Sequence, residues 1–273
     1  MNTPETGRLQ FPSVDASTDP ARHAEYLALV ASVIAELRAE ALEALDLRPG
    51  ACLLDAGCGL GEHAIEIAPR VLPGGRVVGV DARHAMVERA RGAADQARSP
   101  VEFVVGDIRA LPFADASFDA SRCERVLQHL TASDAATAVA ELVRVTRRGG
   151  VIQLIDVDHY QTAFTASDAE LARRLVFESR ATSGYPDAGL SLHVLLSQAG
   201  VRDAVVVARA GQFQNLAVFD TVQQLGQSLA ELVAGGTVPP GRAQDFRDDL
   251  VARDLAGTFL ATMIGYVATG RTA

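Results

Sequence analysis

The stretch Cys52-Leu-Leu-Asp-Ala-Gly-Cys-Gly-Leu-Gly61 decides how this 273-residue chain folds. It begins as a short apolar run, which is typical of a strand that is buried on both faces. Three glycines follow at alternate positions, and residues 62–70 then have the pattern of a helix. Glycines between a strand and a helix let the backbone turn sharply and approach a ligand, which the free N–H groups at the helix start can contact. The stretch therefore predicts a nucleotide or nucleoside site.

The spacing of these glycines argues against a dinucleotide as the ligand. The dinucleotide fingerprint is Gly-x-Gly-x-x-Gly. Here the third glycine, Gly61, comes one residue early, and Glu62 stands where that fingerprint needs a glycine. A carboxylate at a helix start is a poor neighbour for a pyrophosphate, because both groups are anionic. The pattern favours a ligand without phosphate and leaves an NAD-dependent oxidoreductase as a less favoured alternative.

Length and composition fit a globular enzyme with a sizeable core, built as one large domain or as one domain with a cap. We expect no membrane partner, because no run of about 18 apolar residues occurs and residues 1–20 do not form a signal peptide. The net charge of −9 argues against nucleic acid as the main partner. Three cysteines without metal-ligand spacing favour reduced thiols and a cytoplasmic protein. All 25 basic residues are arginines, so no lysine can serve as a base or nucleophile.

Acidic or small polar residues stand at the ends of four predicted strands. The first strand ends at Asp55, the second at Asp81, the third at Asp107 and the fourth at Cys123. A carboxylate at the end of the second strand can accept hydrogen bonds from both ribose hydroxyls of a nucleoside. The regular alternation of strands and helices predicts a doubly wound parallel sheet, which binds its ligands at the carboxyl ends of the strands. The four residues are expected to share that edge.

Two of these segments resemble motifs of the class I S-adenosylmethionine (SAM) dependent methyltransferases. They are Asp55–Gly61 and Gly106-Asp-Ile-Arg-Ala-Leu-Pro-Phe113, and Val126-Leu-Gln-His129 is similar to a further run of that family. The resemblance covers residues 45–158 and is closest to the enzymes of quinone and natural-product biosynthesis. It implies an α/β fold with a seven-stranded, mostly parallel Rossmann-like sheet whose last strand is antiparallel. It also implies SAM as the cofactor and a small molecule as the methyl acceptor.

The resemblance also assigns the cofactor site. The glycine turn would lie against the amino-acid part of SAM, Asp81 would bind the ribose, and Asp107 would accept a hydrogen bond from the adenine amino group. A helix cap is the alternative role for both acids, and Asp81 is alternatively a surface acid. The whole predicted set is Asp55, Gly57, Gly59, Gly61, Asp81, Ala82, Met86, Asp107, Ile108, Cys123 and Arg125.

Methyl transfer from a sulfonium needs an oriented nucleophile and a dry site more than it needs a protein base. A base is required only for a weakly acidic hydroxyl or carbon. His159, just after the fifth strand, and His129 are the candidate catalytic residues, with a structural role as the alternative for each. Asp156 and Asp158 lack an evident third ligand, so no metal site is predicted. A SAM-fold protein that performs cyclisation or binding without methyl transfer is the main alternative function.

The rest of the chain predicts the parts that surround the acceptor. Residues 1–45 are expected to form an N-terminal arm and helix, and residues 46–273 the methyltransferase domain. Within that domain, segments 160–200 and 214–256 are predicted to be helical parts of a substrate cap, with a single helix at 219–233. The arm and the 214–256 segment have no role in a minimal SAM-binding sheet, so they are expected to close over the acceptor as a lid. We expect a monomer or a homodimer.

Overall fold

A computed structural model describes residues 35–178 and 184–273 of the chain. Within these residues seven strands form one sheet: β1 (Cys52–Ala56), β2 (Arg76–Asp81), β3 (Glu102–Val105), β4 (Phe118–Glu124), β5 (Thr146–Phe164), β6 (Arg202–Phe213) and β7 (Ala261–Arg271). Across the sheet their order is β3-β2-β1-β4-β5-β7-β6. The first five strands are parallel, and β7 is antiparallel to both of its neighbours. This confirms the predicted doubly wound, mostly parallel fold.

The helices of the described residues are α1 (Ala35–Ala44), α2 (Glu62–Val71), α3 (His84–Ala97), α4 (Ala132–Val145), α5 (Ala169–Glu178), α6 (Ala188–Gln198), α7 (Leu216–Gln223), α8 (Leu225–Ala234) and α9 (Pro240–Leu255). A short 3₁₀ turn, Leu127–His129, follows β4. None of these helices is long and apolar enough to cross a membrane. The expected arm and the start of the expected N-terminal helix fall outside the described residues.

The apolar run of β1 is covered on both faces of the sheet, as its sequence predicts. Leu53 packs into the cluster formed with α2 and α3, and Leu54 packs into the opposite cluster with α4 and α6. Both side chains are fully buried. Burying a leucine contributes about 1.5–3 kcal/mol to stability, so this alternation holds the strand firmly in register under the glycine turn.

A second apolar core lies where β5, β6 and β7 extend beyond the parallel part of the sheet, and α5, α7, α8 and α9 surround it. We call it the cap core. At its centre the fully buried ring of Phe219 lies 5.3 to 5.8 Å from the rings of Phe164, Phe213 and Phe259. The segment predicted as cap at 160–200 is divided, because α5 joins the cap core whereas α6 packs on the main sheet.

The predicted single helix at 219–233 is wrong, since two helices, α7 and α8, occupy this region. The chain turns at Gln224, whose φ of 55° is left-handed. The Asp220 carboxylate accepts a hydrogen bond from Gly226 N at 2.8 Å across this break. The fifth strand also does not end before His159 as expected, because β5 includes this residue and goes on pairing with β7 as far as Phe164 and Ala261.

Replacing Phe219 by Ala should lower the free energy of unfolding by about 3–5 kcal/mol, because a fully buried ring would leave a cavity among its aromatic neighbours. Urea denaturation followed by circular dichroism measures this change. The control is Leu255→Ala, whose side chain is 84% exposed and should alter stability by less than about 0.5 kcal/mol. A loss below about 1 kcal/mol for Phe219→Ala would contradict a tightly packed cap core.

Candidate functional site

The glycine turn after β1 is tied to the end of the neighbouring strand. The backbone N–H groups of Gly57 and Cys58 both donate to the Val80 carbonyl of β2, at 2.7 and 2.9 Å. The turn is therefore held at the carboxyl edge of the sheet before any ligand arrives. Gly61 then precedes α2, whose first turn provides the free N–H groups expected from the sequence.

The three predicted glycines have different surroundings. A Cβ atom on Gly57 would lie 2.1 Å from Val126 Cγ2, and one on Gly61 would lie 2.4 Å from Phe103 Cζ. A Cβ atom on Gly59 would meet no protein atom within 4 Å, and its φ of 54° is left-handed. Gly57 and Gly61 are thus required for internal packing, whereas Gly59 borders open space beside the backbone.

Asp81 stands at the end of β2 and bonds to the glycine turn. Its Oδ2 accepts a hydrogen bond from Gly59 N at 3.0 Å, and its Oδ1 accepts one from Arg83 N at 2.9 Å. The carboxylate therefore lies beside the turn, as the predicted ribose role requires, and also bonds the backbone just before α3. Next to it, Ala82 is exposed and Met86 is half-buried.

Asp107, after β3, is bonded to Arg109. Arg109 donates from its backbone N at 2.9 Å, from Nε at 3.0 Å to both carboxylate oxygens, and from Nη2 at 2.6 Å. These hydrogen bonds lower the pKa of Asp107. Arg109 Nη1 also lies 3.3 Å from Asp134 Oδ1 at the start of α4. A carboxylate has about four acceptor positions, so an adenine amino group would have to share Asp107 with this arginine. Ile108 is buried.

Asp55 belongs to a buried cluster of charges beneath the glycine turn. Arg122 Nη1 lies 3.6 Å from Asp55 Oδ1, and Arg122 Nη2 forms an ion pair with Glu124. Arg38 of α1 also pairs with Glu124, at 3.0 Å. Burial raises the pKa of Asp55. For Glu124 the effect of burial is outweighed by its neighbours, first Arg122 and then His63 and Arg38, which lower the pKa of Glu124 to about 2. The Asp55 carboxylate thus faces Arg122 inside the sheet.

The end of β4 places the next two predicted cofactor residues. Cys123 is buried, and burial raises the pKa of its thiol well above the ordinary value. Its backbone is therefore the part that can contact a ligand. Arg125 follows with a left-handed φ of 57°, and its N–H donates to the Ile155 carbonyl of β5 at 2.8 Å. This hydrogen bond joins the end of β4 to the middle of β5.

The 3₁₀ turn after β4 is held by Asp156 of β5. The carboxylate of Asp156 accepts hydrogen bonds from Gln128 N at 3.1 Å and from Val157 N at 3.0 Å. Asp156 is fully buried, and burial raises its pKa to about 7. Strongly shifted pKa values are found more often at functional sites than elsewhere, which makes Asp156 a candidate for a functional role at this edge of the sheet.

The two candidate catalytic histidines differ in exposure. His159 is 9% exposed, and its Nε2 lies 2.5 Å from Gln128 Oε1. Its backbone N–H donates to the Pro186 carbonyl at 2.9 Å. His129 is exposed and directly follows Gln128 in the 3₁₀ turn. Gln128 therefore connects the turn after β4 to the extension of β5, where the sequence places the acceptor.

The described residues contain no group of three or more His, Cys, Asp or Glu side chains arranged to hold a metal ion. Asp158, which the sequence sets two residues after Asp156, accepts hydrogen bonds from Tyr160 N at 2.9 Å and from Gln161 Nε2 at 2.7 Å. Its two oxygens thus have partners within its own strand.

Sequence reasoning missed Arg122, Glu124, Arg109 and Gln128. A signal for the first two is present in the sequence, because a buried strand with charged residues must pair them inside the protein. Arg109 lies within the motif at 106–113 but received no role. Gln128 carries no local signal, since its importance comes from a contact with His159, which is 31 positions away.

Residues 53–150 match the family model described as a methyltransferase domain. The chain is 35% identical over 233 residues to an uncharacterised 37.1 kDa protein in transposon TN4556 of Streptomyces fradiae. The aligned region covers 84% of this chain and 65% of that protein. The chain is also 32% identical over 122 residues to the demethylmenaquinone methyltransferase of Desulfitobacterium hafniense. This second aligned region covers 44% of this chain and 47% of that enzyme. This chain thus spans less than two thirds of the first relative and about half of the second.

The fold is also similar to solved structures. The YcgJ protein from Bacillus subtilis superposes with a TM-score of 0.57 at 22% identity, over 85% of this chain and 97% of that one. This structural likeness supports the fold. The region matched by the methyltransferase family model, residues 53–150, contains nearly all of β1 and the whole of β2, β3 and β4. It also contains the glycine turn and the acids at the strand ends. On this evidence residues 53–150 of the chain form a methyltransferase domain.

Proposed function

We propose that this protein transfers the methyl group of SAM to an oxygen, nitrogen or carbon nucleophile of a small molecule, a secondary metabolite or its precursor. The observation that carries the proposal is the pairing of Asp81 with the open glycine turn at Gly59. It sets a carboxylate that can bind ribose beside a backbone that a cofactor can approach closely. The relatives with named activities, such as the demethylmenaquinone methyltransferase, favour small acceptors.

Each element of the site has a proposed part in holding SAM. The turn around Gly59 receives the methionine portion, Asp81 accepts from the ribose hydroxyls, and Asp107 with Ile108 holds the adenine. Bound SAM supplies a methyl group that is already activated by the sulfonium. The protein's own work is then to bind and orient the acceptor and to exclude water. The cap helices α7–α9 and the N-terminal arm are proposed to provide that closure.

The acceptor side is proposed to lie over the end of β4 and the part of β5 around His159, next to His129. Either histidine can serve as the base for an acceptor that does not ionise unaided. The proposal includes a cytoplasmic monomer or homodimer that does not act on nucleic acid, in keeping with the net charge of −9. The match to a methyltransferase domain does not favour the two alternative functions. These are an NAD-dependent oxidoreductase and a SAM-fold protein that performs cyclisation or binding without methyl transfer.

The proposed activity is tested by incubating the purified protein with methyl-labelled SAM and a panel of polyketide, phenolic and amino-acid-derived acceptors. Label should appear in an acceptor and in proportion to the protein added. A protein that binds SAM but never releases its label to any acceptor would instead support the alternative without methyl transfer.

Asp81→Ala should weaken SAM binding by about 1–3 kcal/mol, because the ribose hydroxyls lose their acceptor. It also removes the partner of Gly59 N, so Asp81→Asn, whose remaining oxygen can still accept from that N–H, separates the two effects. Calorimetry with SAM measures both variants. We expect a smaller loss for Asp107→Ala, since Arg109 already occupies that carboxylate. Unchanged affinity in Asp81→Ala would contradict the ribose assignment.

Gly59→Val should abolish SAM binding, because the side chain would enter the space that the cofactor needs and valine disfavours a left-handed φ. The matched control is Gly149→Val. Gly149 also has a left-handed φ, of 71°, and a Cβ atom added to it would meet nothing within 4 Å, but it lies at the opposite edge of the sheet. The control should show similar backbone strain and normal SAM binding. Normal binding by a folded Gly59→Val protein would exclude this turn as the cofactor cradle.

A further inference from the structure

The pairing of β5 with β7 is interrupted on the acceptor side of the proposed site. The ladder pairs Asp158 with Ile264 and then, after a shift in register, Ala163 with Thr262. Four residues of β5, 159–162, therefore stand against a single residue of β7, and we call them the β5 bulge. A bulge bends its strand and re-aims its side chains, and bulges are frequent beside active sites.

Hydrogen bonds hold the β5 bulge in one conformation. The Asp158 carboxylate accepts a hydrogen bond from Tyr160 N at 2.9 Å and another from Gln161 Nε2 at 2.7 Å. Gln161 Oε1 in turn accepts a hydrogen bond from the Tyr266 hydroxyl of β7 at 3.0 Å. The backbone on both sides of Tyr160 is thus fixed, and with it the direction in which this side chain leaves the strand.

α5 lies beside the β5 bulge, and its own position is fixed by the cap core. Leu171 and Leu175 are fully buried there. At the start of the helix, the Asp168 carboxylate accepts hydrogen bonds from Leu171 N at 3.0 Å and from Arg242 of α9 at 2.7 and 3.0 Å. Phe177 lies on the opposite side of α5 and is 59% exposed.

The rings of Tyr160 and Phe177 stack on each other. Their centroids are 4.7 Å apart and their planes differ by 19°. Neither ring belongs to the cap core or to the clusters that pack on the main sheet, so neither core requires an aromatic side chain at these two positions. A further planar ring can stack on the exposed part of the pair, because parallel-offset aromatic rings attract each other beyond the effect of their buried area.

We propose that Tyr160 and Phe177 form an aromatic platform on which a planar, conjugated part of the methyl acceptor stacks. The two residues then favour planar acceptors over saturated ones of the same carbon skeleton. This inference rests on the proposed function for naming the ligand as the methyl acceptor. Stacking uses the faces of a ring and leaves the atoms at its edge free, so a nucleophile at that edge stays available for the methyl group.

The platform is tested without SAM, on the full-length protein, with two probes that share one carbon skeleton. They are the planar 2-naphthol and the saturated decahydro-2-naphthol, and equilibrium dialysis gives the affinity for each. The ratio of the two affinities should be about threefold or more higher in the wild type than in Phe177→Leu, which keeps an apolar side chain without a ring. Tyr160→Leu should lower the ratio in the same direction.

The matched variants keep the rings. Phe177→Trp and Tyr160→Phe should retain the wild-type ratio of affinities. Val205→Ala is the control for a change at an exposed apolar residue, because Val205 is 63% exposed but lies on β6, opposite Thr269. Its ratio should also equal that of the wild type. Circular dichroism confirms that each variant is folded, which is expected for Phe177→Leu because this side chain is exposed.

An unchanged ratio in folded Phe177→Leu would overturn the inference, and so would a wild-type protein that binds no 2-naphthol. The expected ratios in a protein that methylates no acceptor would retain the platform and refute only the proposed function. Methyl transfer by a protein in which Phe177→Leu leaves the ratio unchanged would retain the proposed function and refute the platform.

Discussion

The structure depends on a buried set of charges that joins β1, β4 and α1 below the carboxyl edge of the sheet. Arg122 lies between Asp55 and Glu124, and Glu124 also pairs with Arg38. Taking an ion out of water costs several kcal/mol, so each member is tolerated only while its partners stay in place. Displacing one strand end would leave a charge buried and unpaired. The cluster thus fixes the end of β1 relative to β4, and the glycine turn and the turn after β4 both start from these ends.

The parts of the site above this cluster are joined by hydrogen bonds between neighbouring strands and the loops that follow them. Asp81 bonds Gly59, Arg125 bonds Ile155, and Asp156 bonds Gln128. Each bond connects a residue of one strand to the loop that follows the neighbouring strand. A ligand that lies across this edge therefore meets groups that are already ordered, and less of its binding energy is spent on arranging them.

Much of this arrangement could be predicted from the sequence, because it depends on local pattern. The apolar run into Asp55, the glycine spacing and the acids at strand ends place Asp81 beside the turn through the geometry of parallel sheets alone. The contacts of Arg109 and Gln128 were beyond such reasoning. They depend on where side chains point after folding and, for Gln128, on a distant partner. The break at Gln224 was missed because a left-handed glutamine has no distinctive sequence signal.

The residues proposed to surround the cofactor and those proposed to surround the acceptor lie on the same strands. β5 contains Asp156 and His159 and then continues to Phe164 in the cap core. Gln161 of β5 accepts a hydrogen bond from the hydroxyl of Tyr266 on β7, which also extends into that core. Because the cap core is packed on extensions of the sheet itself, its residues can change around the proposed acceptor while the strand ends proposed to face SAM keep their positions. The residues that select the acceptor are therefore to be sought along β5, β7 and the cap helices, away from the glycine turn.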